Sequence, residues 1–122
     1  MVHHSAASGY QQHADTYAKA RPSYHPELVQ RFMGRYAGGT VVDLGAGTGI
    51  FTRQVVSAGR SPIAIEPVRE MRAKLAAQLP TVDVRRGTAE DTGLDTASVD
   101  AVVAAQAFHW FDHQLALAEI RR

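Results

Sequence analysis

Hydrophobic positions along this chain alternate between two periods. After a polar start, Leu28, Val29, Phe32, Met33 and Tyr36 recur at helical spacing, with Pro26 suited to the first turn and Gly38-Gly39 as the stop. The period then changes. Thr40-Val41-Val42-Asp43-Leu44 is a short β-branched run that predicts a buried strand ending at Gly45, and Ile50, Phe51, Val55 and Ala58 return to helical spacing up to Gly59. The alternation repeats: residues 62–66 predict a second strand, and Val68, Met71, Leu75 and Leu79 predict a helix that Pro80 stops. Residues 82–86 predict a third strand near a sheet edge, because Arg85 and Arg86 interrupt it. Residues 99–105 predict a fourth, almost wholly apolar, as for a strand covered on both faces. Asp112 then offers an N-cap for a last helix carrying Leu115, Ala118 and Ile120.

Strands alternating with helices predict an α/β fold, a doubly wound parallel sheet joined by right-handed crossovers. The apolar stripe of residues 71–79 reads as core packing against that sheet. The last helix stops at Arg121-Arg122 with no glycine cap, polar tail or following strand. The expectation is therefore a truncated sheet, with residues 99–105 as an open apolar edge able to pair with another chain.

Composition bounds the function. The 122 residues are 45% hydrophobic and 20% charged, the range of one soluble globular domain or less. The absence of cysteine removes disulfides, thiolate catalysis and Cys-based zinc sites. Thirteen Lys and Arg against twelve Asp and Glu give a net charge of +1, so neither nucleic acid nor a membrane is an expected partner. The apolar run at residues 101–105 is far shorter than the roughly 18 residues a membrane helix needs. The start of the chain lacks the pattern of a signal peptide, and the expected location is cytoplasmic.

The most informative stretch is Asp43-Leu44-Gly45-Ala46-Gly47-Thr48-Gly49, between a predicted strand and a predicted helix. Glycines there let backbone approach a ligand closely, and the helix N-terminus offers unpaired N–H groups, so a nucleotide-like cofactor is the natural occupant. The third glycine comes one residue earlier than in the dinucleotide fingerprint, and no Lys-Ser or Lys-Thr follows to make a P-loop. The bland alternative is a tight turn without a ligand. Glu66, at the end of the second strand, has two readings: an acceptor for both hydroxyls of a ribose, or a helix-start acid favourable to the dipole beside Pro67. The glycine loop favours the ribose.

These residues carry a resemblance. Val41-Val42-Asp43-Leu44-Gly45-Ala46-Gly47-Thr48-Gly49, then Glu66, Gly87-Thr88-Ala89-Glu90-Asp91 and Val99-Asp100-Ala101-Val102-Val103 resemble the first four motifs of the class I S-adenosylmethionine-dependent methyltransferases. The branch most similar is the methyltransferase type 11 and trans-aconitate-methyltransferase-like one. Tyr17-Ala18-Lys19-Ala20-Arg21-Pro22-Ser23-Tyr24 resembles its N-terminal lid, and Ala105-Gln106-Ala107-Phe108-His109-Trp110-Phe111-Asp112 the end of its fourth strand. The resemblance implies a Rossmann-like sheet of order 3-2-1-4, with residues 1–24 as the lid segment and 25–122 as the cofactor-binding half of the domain.

It also implies roles. Gly45, Ala46, Gly47, Thr48 and Gly49 would wrap the methionine moiety of S-adenosyl-L-methionine, whose product is S-adenosyl-L-homocysteine, with Asp43 holding the loop or reaching the amino group through water. Glu66 would take the ribose hydroxyls. Thr88 and Ala89 would frame the adenine, with Glu90 or Asp91 near its exocyclic amine; the family usually has Asp or Asn where Thr88 stands. Ala105 and Gln106 would contact the methionine part, and Tyr17 and Arg21 would close over the cofactor, Arg21 on its carboxylate.

Methyl transfer from a sulfonium asks the protein mainly to orient the nucleophile and exclude water. A base is optional. His109 is the candidate by pKa and position, although the reading of His109-Trp110-Phe111 as a packing cluster is the stronger one. His109 and His113 could pair as metal ligands on one helix, but no third ligand accompanies them and no metal is expected. His3-His4 reads as a terminus. The expected function is methyl transfer to a small-molecule acceptor, with an NAD(P)-binding oxidoreductase domain and a non-catalytic binding or assembly module as alternatives. A homodimer through the edge at residues 99–105, or through an exchanged terminal helix, is also expected.

Overall fold

The computed structural model describes residues 23–35 and 38–122. They form helices α1 (Pro26–Gly34), α2 (Ile50–Ser57), α3 (Arg69–Gln78) and α4 (His113–Arg121) and strands β1 (Val41–Leu44), β2 (Ile63–Ile65), β3 (Asp83–Arg85) and β4 (Ala101–Val103), with a 3-10 turn at Phe108–Trp110. The strands make one parallel sheet in the order β3-β2-β1-β4, so the doubly wound α/β arrangement expected from the sequence is the one formed. Val42 of β1 lies between Ile63 of β2 and Val102 of β4.

All four residues of β1 are buried, as a central strand covered on both faces requires. Its alternation splits the core. Val41 packs with Val29, Met33 and Val55 from α1 and α2, whereas Val42 and Leu44 pack with Ile65, Ala89 and Ala116 on the α4 side. Leu75 of α3 joins Ala64 and Ala46. Burying side chains of this size contributes about 1.5–3 kcal/mol each, before the entropy of ordering them is subtracted.

Three expectations need correction. α1 ends at Gly34, not at Gly38-Gly39. The N–H of Arg35 turns back to the Phe32 carbonyl at 3.3 Å, and the Arg60 guanidinium donates to the Met33 carbonyl at 3.0 Å and to the Gly39 carbonyl as well, so a side chain satisfies what a further helical turn would have. Tyr36 lies outside the described residues. The fourth strand spans three residues, not 99–105, and lies half-buried at a sheet edge, with Val102 packed on the α4 side and Ala101 and Val103 on the side of α1 and α2. In α4 the inward residues are Ala116 and Ile120, while Leu115 is 53% exposed and Ala118 also faces solvent. The Asp112 cap, accepting the Leu115 N–H at 3.2 Å, fixes where the helix starts, and a small Ala116 brings it close to the sheet.

Residues 86–100, which cross from β3 to β4, form no regular element. They are fastened to α4 instead. Glu119 accepts the N–H and hydroxyl of Thr92 at 2.9 and 2.7 Å, and Arg122 donates to the Leu94 carbonyl at 2.7 Å. No helix among the described residues is long and apolar enough to cross a membrane.

Candidate functional site

Parallel strands aim their carboxyl ends the same way, and in such sheets ligands bind there. Four connections meet at that end: the glycine loop after β1, Glu66 after β2, residues 86–91 after β3 and residues 104–112 after β4.

The glycine loop is shaped by its backbone. Gly45, Gly47 and Gly49 have φ of +65°, +62° and +94°, the left-handed region that only glycine enters without strain. The N–H groups of Gly45 and Ala46 both reach the Ile65 carbonyl, at 2.9 and 3.1 Å, which ties the loop to the end of β2. Space is a second reason for glycine. A Cβ on Gly45 would stand 2.8 Å from the Ala107 Cβ and 3.2 Å from the Phe111 ring, and one on Gly49 would stand 2.8 Å from Leu75.

Two acids brace this loop. Asp43, fully buried in β1, accepts the Thr52 hydroxyl at 2.7 Å and so joins the strand to α2. Glu66, 3% exposed, accepts the Gly47 N–H on one oxygen at 2.9 Å and the Val68 N–H on the other at 2.8 Å. Of the two sequence readings of Glu66, the helix-start acid is therefore present in the geometry.

After β3, Thr88 and Asp91 close a turn in which the Thr88 hydroxyl accepts the Asp91 N–H at 3.0 Å. The turn places Ala89 in the core beside Leu44 and Ile65, leaves Asp91 exposed and sends the Glu90 carboxylate to the Asp112 N–H at 2.9 Å. After β4, Ala105 is buried, whereas Gln106 is exposed with a φ of +56°. His109 is exposed on the 3-10 turn, its ring 4.9 Å from that of Trp110. His113 begins α4 and stacks on Phe108 at 4.7 Å, so the two histidines do not share a helix. Among the described residues no group of three or more His, Cys, Asp or Glu is placed to hold a metal ion. Tyr17 and Arg21 lie outside the described residues.

The fold thus gathers Asp43, the glycine loop, Glu66, Thr88, Ala89, Glu90 and Ala105 at one end of the sheet. Four supporting residues were not legible as such: Thr52 under Asp43, Leu75 behind Gly49, and Ala107 and Phe111 behind Gly45. Only the spacing of Asp43 to Thr52, a strand end to the first turn of the next helix, carries a local signal. Thr48 is 2% exposed and its hydroxyl has no hydrogen-bond partner among the described residues, the kind of group a polar ligand satisfies.

Comparison with known proteins agrees with this geometry. Residues 42–122 match the family described as "Methyltransferase domain". An uncharacterized methyltransferase of Mycobacterium tuberculosis is 44% identical over 106 residues, 87% of this chain and 43% of the relative. The structure of a candidate type II methyltransferase from Anaeromyxobacter dehalogenans is 36% identical with a TM-score of 0.71, covering 84% of this chain and 43% of that one. A SAM-dependent methyltransferase from Thermotoga maritima is 25% identical with a TM-score of 0.68, covering 93% and 54% respectively. The chain spans less than half the length of that curated relative.

Proposed function

The chain belongs to the methyltransferase-domain family, and on that footing we propose that it binds S-adenosyl-L-methionine at the carboxyl end of its sheet and provides the cofactor-binding half of an enzyme that methylates a small molecule. The observation that carries this reading is the Glu66 carboxylate set against the glycine loop at the end of β2, the position from which an acid takes a ribose in a doubly wound sheet. The site suits such a ligand: a loop whose glycines let backbone approach closely, a buried carboxylate, the Thr48 hydroxyl, unpartnered among the described residues, and small side chains at Ala89 and Ala105.

When bound, the cofactor supplies an electrophilic methyl group on a sulfonium, and the protein needs no metal or covalent nucleophile of its own. The chain's residues orient and shield. Gly45, Ala46, Gly47, Thr48 and Gly49 wrap the methionine part, with Asp43 steadying the loop through Thr52. Thr88 and Ala89 frame the base, Ala105 and Gln106 border the methionine part, and the family resemblance gives Tyr17 and Arg21 to the cofactor as well. His109, exposed next to Trp110, is the imidazole we assign to any proton the acceptor loses. A net charge of +1 suits a small acceptor rather than a polyanion.

Calorimetric titration of the 122-residue chain with S-adenosylhomocysteine, then with NAD, tests the reading. Saturable heat with S-adenosylhomocysteine is expected; a tighter response to NAD overturns it.

A further inference from the structure

α4 begins with an incomplete cap. Asp112 caps the third residue of the helix through its side chain, but the residue there is Leu115, which cannot return a hydrogen bond to the Asp112 N–H as the Glu or Gln of a capping box does. A residue from another loop does so instead. Glu90, 22 positions earlier, accepts the Asp112 N–H at 2.9 Å and brings negative charge to the helix N-terminus, where the macrodipole favours it.

What this contact fixes is the 3-10 turn at Phe108–Trp110 and the residues on either side of it. The Trp110 N–H returns to the Ala107 carbonyl at 2.9 Å and the Phe111 N–H to Phe108 at 3.0 Å, so the turn moves as a piece, anchored at its far end by Asp112. Its Ala107 and Phe111 side chains are the ones standing behind Gly45. A chain of direct contacts therefore runs from the turn after β3, through Glu90 and Asp112, to the back of the glycine loop.

We propose that Glu90 is a positioning residue and not an adenine ligand: its carboxylate completes the cap of α4 and thereby sets the aromatic turn against Gly45. The proposal rests on the cofactor site above for its functional consequence, though not for its structural one. It reassigns Glu90 away from the exocyclic amine that the family resemblance suggested for it.

Trp110 is the only tryptophan and sits in the turn concerned, so its fluorescence reports on the proposal without any ligand. Glu90→Ala is expected to shift Trp110 emission while circular dichroism shows a folded chain. Glu90→Gln, whose amide oxygen still accepts the Asp112 N–H, is expected to keep the wild-type emission. With ligand, Glu90→Ala should weaken S-adenosylhomocysteine and S-inosylhomocysteine by the same factor, about tenfold, the scale of one lost hydrogen bond to a charged group. Glu90→Gln should stay within about twofold of wild type by the same reckoning. A Glu90→Ala protein with unchanged Trp110 emission and affinities overturns the proposal. So does one that loses only the preference for the adenine amine over the inosine oxygen, because that marks a direct ligand. If Glu90→Ala does not fold, Glu90→Asp, which withdraws the carboxylate by one methylene, is read in its place. Absence of S-adenosylhomocysteine binding by the wild type would count against the proposed function, and the ligand-free comparison of Glu90→Ala with Glu90→Gln would still decide the role of Glu90.

Discussion

Gly47 donates its main-chain N–H to Glu66 Oε1 at 2.9 Å across nineteen positions of sequence. The other oxygen of the same carboxylate takes the Val68 N–H, so one buried side chain ties the glycine loop after β1 to the start of α3 after β2. Loop and acid are therefore one unit in the folded chain, whatever ligand they hold.

Glu66→Ala should lower stability by about 3 kcal/mol, because two main-chain N–H groups at a buried position lose their acceptor. It should also abolish the heat of S-adenosylhomocysteine binding. Glu66→Gln retains one acceptor oxygen and should recover part of the stability and little of the affinity. Urea unfolding and calorimetry read the two effects separately; an unchanged unfolding midpoint in Glu66→Ala would rule out the bracing role.

Gly49→Ala combines two costs, a side chain at φ +94° and a Cβ 2.8 Å from Leu75. The expected loss is about 2–4 kcal/mol, the sum of left-handed strain and overpacking. A double-mutant cycle with Leu75→Ala separates them. The clash is relieved in the double variant, so its loss should be smaller than the two single losses added together. Strict additivity would show that Leu75 moves aside freely.

Thr52→Val preserves shape but deprives the buried Asp43 carboxylate of the hydroxyl at 2.7 Å. Leaving a buried charged acceptor short of a donor should cost about 1–3 kcal/mol, and Thr52→Ser should restore most of it. Thermal melts of the three proteins provide the measurement. If Ser is no better than Val, the hydroxyl is not what matters.

Glu119 should contribute an acid-sensitive part of the stability. Hydrogen bonds from Arg122, and after them from Thr92, outweigh the effect of burial and hold its carboxyl down to about 2, against 4.5 for the free side chain. The folded chain thus releases this proton more readily than the unfolded one. The contribution is fully present above the unfolded value and is lost as pH falls from 4.5 toward 2. The difference in unfolding free energy between wild type and Glu119→Gln should be constant above that range and shrink within it. The Asp83 carboxyl is also lowered, by its hydrogen bond to Arg85, but both side chains are about half exposed, at 51% and 46%, and solvent screening leaves Asp83→Asn with little effect.

Element type was readable wherever hydrophobic period was strong. The runs around Val41-Val42 and Ile63-Ala64-Ile65 became strands, and the Met71, Leu75 spacing became a helix, because burial of an apolar face is decided by a period the residues themselves carry. The edge position of β3 was readable for the same reason, from Arg85 and Arg86. The end of α1 was not. Gly38-Gly39 is a sound local stop signal, but Arg60, 27 positions from Met33, caps the carbonyls earlier. On α4 the helical spacing of Leu115, Ala118 and Ile120 gave only Ile120 correctly, because the close approach of helix to sheet selects the small Ala116 and turns Leu115 and Ala118 to solvent.

By itself the sequence determined the alternation of strand and helix, the glycine turn between them and the chemical character of the acids around it, all of which rest on backbone sterics and short-range period. Which acid braces which loop was decided only by the tertiary structure. Glu66 meets Gly47, and Glu90 meets Asp112, because β1 lies between β2 and β4 and parallel strands deliver distant segments to one edge. A hydrogen bond depends on distance in space, and nothing local to either partner records that distance.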